Sequence, residues 1–124
     1  MNDAQTDLAM ELAEKLNSEF RRGALVLAVL GQLRTEHYGY SLRKSLADQG
    51  LDVEEGTLYP LIRRLEKQAL LESEWREDAK RRKRFYRLSA VGRVVLERLL
   101  SDWQALNDSI EEITRVSDAL DIQE

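Results

Sequence analysis

The stretch GTLYPLIRRLEK, from Gly56 to Lys67, decides the fold of this 124-residue chain. Its apolar residues recur three and four positions apart, the spacing of one helix face; they are Leu58, Leu61, Ile62 and Leu65. The basic residues fall largely on the other faces. Pro60 stands in the first turn or just past it, where proline disturbs a helix least. The stretch predicts a helix that begins within residues 54–57, ends near Ala69, and has one buried and one basic face.

A shorter helix precedes this basic helix. Ser41 can cap it, residues 41–49 carry its apolar positions, and Gly50 is a suitable stop signal at its end. A short helix, a connection and a second, basic helix form a helix-turn-helix signature. Further upstream, the block at residues 24–30 is apolar almost all round a helix of residues 20–35, so it predicts the central core helix.

Two short strands follow the basic helix. Residues 71–76 alternate between two faces, and the alternation returns at residues 85–88, which predicts a hairpin. Five successive basic residues separate the two runs; they are Lys80, Arg81, Arg82, Lys83 and Arg84. We predict a wing with a positively charged tip, with the first three basic residues in the loop and the other two opening the second strand. Trp75 is predicted to be a core residue, and His37 a surface loop residue.

Both ends of the chain predict amphipathic helices. Residues 3–19 carry an apolar stripe of every fourth residue, formed by Leu8, Leu12 and Leu16. A final helix is predicted from a Ser89 cap to about Asp118. Its apolar seam has heptad spacing and is surrounded by acids, which is typical of a helix that pairs with another; the seam contains Leu99, Trp103, Leu106, Ile110, Ile113 and Leu120. These two apolar rows predict a homodimer interface.

The predicted elements define a mainly α fold with a small β-hairpin, a winged helix-turn-helix with N- and C-terminal dimerisation helices. We assign residues 1–19 to an N-terminal accessory helix, residues 20–89 to a winged-helix DNA-binding domain and residues 90–124 to a C-terminal dimerisation helix. One proline and six glycines suit long helices.

The composition argues against several functional classes. The chain has no cysteine and one histidine, which excludes thiolate chemistry, disulfides and zinc sites built on cysteine or clustered histidines. It also lacks a Gly-rich phosphate loop. We therefore predict no enzyme, no cofactor and no metal. The longest apolar run is too short to span a bilayer, and acids stand where a signal peptide would be basic, so the prediction is a cytoplasmic protein without a membrane partner.

The net charge of −4 conceals an uneven distribution. Residues 1–18 hold one Lys and four acids, a sum of −3. Residues 19–100 hold seventeen basic and twelve acidic residues, a sum of +5, and residues 101–124 hold one Arg and seven acids, a sum of −6. A basic middle between acidic ends is typical of a DNA-binding module with separate assembly helices.

Several of these segments together resemble the PadR family of winged-helix transcriptional regulators. The resemblance rests on the stretch from Gly56 to Glu66, on residues 70–75, on residues 81–89 with Val91-Gly92, and on Tyr38-Gly39-Tyr40-Ser41-Leu42 upstream. It implies a dimeric regulator, often a repressor. The family's third helix, which is the basic helix of this chain, would enter the major groove while the wing lies along the DNA backbone. It also implies that the last helix pairs across the dimer, where some members bind a planar effector.

The chain departs from the family pattern at two places. Glu54-Glu55 stands where the family usually has Ser-Pro, and two acids at the front of a groove-entering helix should repel phosphate. The wing also lacks the usual glycine. The helix at residues 3–19 is an addition that can help to form the dimer in the short-tailed subgroup.

The predicted partners are double-stranded DNA, a second copy of the chain and a planar aromatic molecule. The predicted DNA-binding residues are Tyr40, Thr57, Tyr59, Arg63, Arg64, Lys80, Arg81, Arg82, Lys83 and Arg84. The predicted effector site consists of Leu99, Trp103 and Leu106. An alternative stays open, in which the winged helix is a protein–protein interaction module without specific DNA binding. The acids at 54 and 55 favour that alternative, and the basic run of the wing favours DNA.

Overall fold

The computed structural model describes the backbone of residues 1–123 and the side chains as far as residue 115. Within that part, the elements in chain order are α1 (Asp3–Gln32), β1 (His37–Tyr38), α2 (Gly39–Asp48), α3 (Glu55–Lys67), β2 (Leu71–Asp78), β3 (Arg81–Leu88) and α4 (Ala90–Gln123). The strands form one antiparallel sheet in the order β1-β3-β2. The predicted winged helix-turn-helix class is confirmed. The short strand β1 was not predicted.

The core gathers the apolar faces of all four helices around the base of the hairpin. Val29 and Leu30 in α1 and Leu33 just after it are fully buried, which confirms the predicted core segment within residues 20–35. The predicted stripe of α3 is buried as well. The other core residues are Leu25, Leu42, Leu46, Val53, Leu71, Leu88 and Leu96.

α1 is one continuous helix, whereas separate helical segments had been predicted at residues 3–19 and 20–35. It begins with a reciprocal cap, because the Asn2 side chain accepts from the Gln5 backbone N–H at 2.9 Å and the Gln5 side chain accepts from the Asn2 N–H at 3.1 Å. Nothing lies within 4 Å of a Cβ built on Gly23, and the helix passes through this glycine. The change from exposed to buried residues therefore occurs within a single helix.

Two helices end in the same hydrogen-bonding pattern. Gly50, with φ of 91°, follows α2, and the Leu51 N–H donates to the Leu46 carbonyl at 2.8 Å. This confirms Gly50 as the stop signal. Ala69, with φ of 64°, occupies the equivalent position after α3, and the Leu70 N–H donates to the Leu65 carbonyl at 3.0 Å. The second ending therefore places an alanine in the left-handed region that favours glycine.

The start of α4 is locked to the end of α3. The Ser89 hydroxyl accepts from the Gly92 N–H at 2.9 Å and donates to the Ala69 carbonyl at 2.6 Å, which confirms the predicted cap. A Cβ built on Gly92 would lie 2.1 Å from the Leu70 carbonyl oxygen, so only glycine fits there without movement. α4 then continues to Gln123, beyond the predicted end near Asp118. The side chain of Leu120 lies outside the described residues.

Three predictions for individual residues are wrong. Trp75 is 53% exposed: it shares the face of β2 that carries Leu71 and Ser73, but it lies farther out along the hairpin, at the cleft beside α3 and not in the core. His37 is half-buried in β1, with Nδ1 3.0 Å from the Ser41 hydroxyl, and burial lowers its pKa. Ser41 is inside the first turn of α2 and not before it; its hydroxyl accepts from the Tyr38 N–H at 3.1 Å.

Candidate nucleic-acid interface

The wing is a long hairpin with a two-residue turn. Ala79 and Lys80 have φ of 52° and 66°, and the flanking Asp78 and Arg81 are paired across the strands. Positive φ at both central residues matches the twist of the flanking strands and so permits this tight turn. Only Lys80 of the basic run is therefore in the turn. The prediction that Arg81 and Arg82 lie in the loop is wrong, since both belong to β3.

Some basic side chains of the wing are free of ion pairs, and others are already bound within the protein. Lys80 and Arg81 are exposed and make no ion pair within the described part of the chain. Arg82 is also exposed, and its guanidinium lies 5.2 Å from the centroid of the Trp75 ring. Lys83 is half-buried over the ring of Tyr38 and pairs with Asp78 at 3.2 Å, a hydrogen bond that raises the pKa of Lys83.

Arg84 links the wing to α3. Its Nη2 donates to both carboxylate oxygens of Glu66 at 3.0 Å, and its Nε donates to the Ser73 hydroxyl at 2.9 Å. Ser73 also donates to Glu66. The rings of Trp75 and Tyr86 flank the guanidinium, with centroids 5.6 and 5.7 Å away. The charge of Arg84 is therefore compensated by Glu66, and the contact holds the hairpin against the helix.

The outer face of α3 presents unpaired cations. Arg63, Arg64 and Lys67 are exposed, and none of them forms an ion pair with another described residue. Thr57 is exposed near the start of the helix. Pro60 lies beyond the first turn of α3, also on the exposed side, so its missing N–H removes one helical hydrogen bond at the surface.

A cleft of about 280 Å³ separates α3 from the wing. Aromatic and basic side chains line it, among them Tyr38, Tyr40, Tyr59, Trp75, Arg63 and Lys83. Tyr59 lies against α2, since a Cβ on Gly39 would be 3.0 Å from its ring. The structure thus brings Tyr40, Tyr59 and Arg63 together with the base of the wing, as one continuous surface.

The two acids that precede and open α3 have different environments. Glu54 is the residue before the first turn, and Glu55 begins the helix. The Glu55 carboxylate pairs with Arg43 of α2 at 3.2 Å, and Arg43 also donates to the Val53 carbonyl at 3.1 Å. One of the two acids is therefore compensated within the protein, which reduces the repulsion of phosphate that the sequence had suggested.

Sequence reasoning missed the partners of Arg84. Glu66 and Ser73 stand eighteen and eleven residues away from it, and their meeting depends on the hairpin register and on how α3 packs against it. The contact between Arg43 and Glu55 was also missed, because the two residues are twelve positions apart in the chain. The sequence offered one signal for the contact between Arg84 and Glu66, which is the presence of an acid among the basic residues of α3.

The two apolar rows of the terminal helices are largely exposed in the single chain. Exposed fractions of 46–65% are found along both rows, at Leu8, Leu12, Leu16, Trp103, Leu106, Ile110 and Ile113. Leu99 differs, because it is partly buried against the core. Of the predicted effector residues, Trp103 and Leu106 are therefore on the open part of α4, and Leu99 is at the edge of the winged helix.

The helix-turn-helix, the charged hairpin and the cleft between them define a winged helix-turn-helix protein. The family model described as "Transcriptional regulator PadR-like family" matches residues 26–98, more than half of the chain. The chain belongs to the PadR-like family of transcriptional regulators. The predicted family is confirmed, and membership of a family of regulators agrees with the prediction that the chain is not an enzyme.

Similar proteins support the assignment. The transcriptional regulator Rv3488 of Mycobacterium tuberculosis is 38% identical over 96 residues, which cover 77% of this chain and 87% of that protein. A PadR family transcriptional regulator from Eggerthella lenta has a similar structure, with a TM-score of 0.80 and 42% identity over 86% of this chain and 95% of that one. A PadR-like transcription factor from Bacteroides fragilis gives a TM-score of 0.69 and 32% identity, covering 80% and 98% of the two chains.

A membrane-spanning helix and a metal-binding cluster are both absent from the described residues. No helix in this part of the chain is long and apolar enough to cross a membrane. No group of three or more His, Cys, Asp or Glu side chains has an arrangement that could hold a metal ion, again among the described residues.

Proposed function

We propose that this PadR-like regulator is a dimeric, sequence-specific DNA-binding repressor that acts in the cytoplasm. The observation that carries the proposal is the concentration of unpaired basic side chains on α3 and at the tip of the wing. When a free lysine or arginine neutralises a DNA phosphate, the counterions condensed on the DNA are released. That release provides the electrostatic part of DNA affinity. Elsewhere in the described chain some cations, such as Arg76, Arg87 and Arg98, are paired with carboxylates, and others, such as Arg22 and Arg93, are exposed and unpaired.

Each part of the surface has a distinct role in the proposal. α3 enters the major groove, where an arginine such as Arg63 can pair with both acceptors of a guanine. Thr57, Arg64 and the hydroxyls of Tyr40 and Tyr59 contact the backbone or base edges beside it. Lys80, Arg81 and Arg82 contact phosphates, which adds affinity but little sequence information.

Lys83 and Arg84 have a different role, because both are already engaged within the protein. Lys83 is held by Asp78 and Tyr38, and Arg84 is held by Glu66 and Ser73. In the proposal Arg84 holds the wing at a fixed distance from α3, and Lys83 holds the outer part of the hairpin against Tyr38 of β1. Their contacts with DNA phosphates are secondary to that role.

Assembly as a homodimer covers the exposed apolar rows. Soluble monomers rarely leave such contiguous apolar surface open, and the α4 row has heptad spacing that suits helix pairing. The interface residues are Leu8, Leu12, Leu16, Leu99, Trp103, Leu106, Ile110 and Ile113. A two-fold dimer presents two copies of α3, so its half-sites should be about 34–36 Å apart.

The effector part of the proposal concerns the two copies of Trp103. Near a dimer axis their indoles could sandwich a planar aromatic molecule, with apolar walls from Leu99 and Leu106. Such a ligand would alter DNA affinity only if it bound one spacing of the two winged helices more tightly than another. The size of the change is limited by that difference in ligand affinity. Titration of planar aromatic compounds into a Trp75→Phe variant, followed by the fluorescence of Trp103, tests this part. Quenching is expected, and its absence with every compound leaves Trp103 as a packing residue.

Selection of binding sites from random DNA, followed by affinity measurements at several salt concentrations, tests the main proposal. Replacing Lys80, Arg81 and Arg82 by Ala should weaken binding to all sequences and lower the salt dependence. Replacing Arg63 by Ala should also alter the preferred sequence, at a cost of about 1–3 kcal/mol. Failure of the unmodified protein to bind any selected sequence at low salt overturns the proposal and favours a protein-interaction module.

A further inference from the structure

The outer face of α3 has a different neighbour on each side. On one side is the cleft to the wing, which Tyr59 and Arg63 line. On the other side is a groove to α1, where Arg22 lies opposite Thr57, Pro60 and Arg64. α3 is therefore flanked by the wing on one edge and by the middle of α1 on the other.

The α1 side of α3 carries its own unpaired cations. Arg22 and Arg64 are both exposed, and neither forms an ion pair with any residue whose side chain is described. The lining of their shared groove contains no carboxylate; its other members are Leu25, Val26, Thr57, Pro60 and Leu61. The groove therefore has a positive charge that nothing within it compensates.

An adjoining groove provides an internal contrast. Arg22 also borders that groove, together with Arg21, Asp52 and Glu54. Its carboxylates reduce the attraction for an anion around Arg21 and on the side of Arg22 that faces this groove. An anion that approaches the edge of α3 is therefore held best between Arg22 and Arg64.

We propose that Arg22 contacts a phosphate of the DNA backbone on the side of α3 opposite to the wing. A helix in the major groove, which is about 12 Å wide, has a phosphate backbone along each of its edges. The wing meets one backbone, and the groove of Arg22 and Arg64 meets the other. This inference rests on the proposed function. It makes α1 a third DNA-contacting element, beside α3 and the wing.

The contact has a measurable signature that differs from base recognition. A phosphate contact positions the protein and reads no sequence. Arg22→Ala should therefore lower affinity for the selected site and for a scrambled duplex by the same factor. The slope of log affinity against log salt should fall by about 0.9, which is about eightfold in affinity at 0.1 M salt. Arg22→Lys retains the charge and should retain most of the slope.

Arg93→Ala is the matched control. Arg93 is an exposed arginine without an ion pair among the described residues, but it is located on α4. Its replacement removes the same charge and should leave the salt slope nearly unchanged. Thermal unfolding followed by circular dichroism should give the same transition for each variant as for the unmodified protein, since both arginines are exposed.

The outcomes separate this inference from the proposed function. If the unmodified protein binds DNA and Arg22→Ala has the same salt slope, the contact of Arg22 is wrong while the proposed function stands. An equal loss of slope in Arg22→Ala and Arg93→Ala indicates a general charge effect and also overturns the contact. If the unmodified protein binds no duplex at low salt, the proposed function fails and the inference fails with it.

Discussion

α1 and the part of α4 whose side chains are described each have a buried segment and an exposed segment, although apolar residues follow helical spacing in both. In α1, Val29 and Leu30 are fully buried, while Leu12 and Leu16 are 48% and 60% exposed. In α4, Leu96 is 4% exposed and Trp103 is 46% exposed. Among the described residues, only the buried segments pack against the winged helix. Helical periodicity therefore reports which face of a helix needs cover, and the fold decides whether the same chain provides it.

The largest effect is expected where the core half of α1 is altered. Leu30→Ala leaves a cavity in a fully buried site and should lower the free energy of unfolding by about 2–5 kcal/mol. Leu12→Ala is the matched change in the exposed half. It should act only through association, so its effect should diminish on dilution. Denaturant unfolding at two protein concentrations measures both. A large, concentration-independent loss for Leu12→Ala would contradict the comparison.

Trp103→Ala should have the next largest effect, on association. A tryptophan at the centre of an interface commonly contributes 2 kcal/mol or more, about a 30-fold change in dissociation constant. Gln104→Ala on the same helix replaces an exposed polar residue and should change association little. Sedimentation across a concentration series separates the two variants. Equal dissociation constants would remove the reason to assign this half of α4 to a dimer.

Gly92→Ala should have an intermediate effect at the point where α4 enters the core. The added methyl group meets the Leu70 carbonyl oxygen, and the backbone shift should lower stability by about 1–3 kcal/mol. Gly23→Ala in α1 has no close neighbour and should instead stabilise the helix by about 0.5–1 kcal/mol. Opposite shifts in the melting temperature are expected. Stabilisation by both variants would show that the junction is not tightly packed.

The smallest effect is expected at the end of α3. Ala69→Gly relieves a left-handed alanine and should stabilise the protein by about 0.5–1 kcal/mol. Gly50→Ala, at the equivalent position after α2, should destabilise it by a similar amount. The two changes exchange the residue types of two similar helix ends. Thermal unfolding of both variants checks the signs, and destabilisation by Ala69→Gly would contradict the assignment.

Residues with local signals were predicted well. The stripe of α3, the stop at Gly50 and the cap at Ser89 depend on neighbours within a few positions, so their patterns can be read along the chain. Trp75 was predicted to be a core residue and does share the face of Leu71 and Ser73, yet it is exposed, because it lies beyond the core beside Arg82 and Arg84. The alternation specifies the face of a strand on which a side chain lies, but the tertiary packing decides how far along the strand that face is covered.

Local spacing was enough to identify the helical segments, the hairpin and the apolar rows, because each depends on interactions between residues close together in the chain, although it assigned Arg81 and Arg82 to the loop and not to β3. The tertiary structure alone decided which cations are free. Arg84 meets Glu66 through the packing of the wing on α3, Lys83 meets Asp78 across the hairpin turn, and both pairings depend on register. Arg22 came beside α3 in the same way, since helix packing brings together side chains that are more than thirty residues apart in the chain.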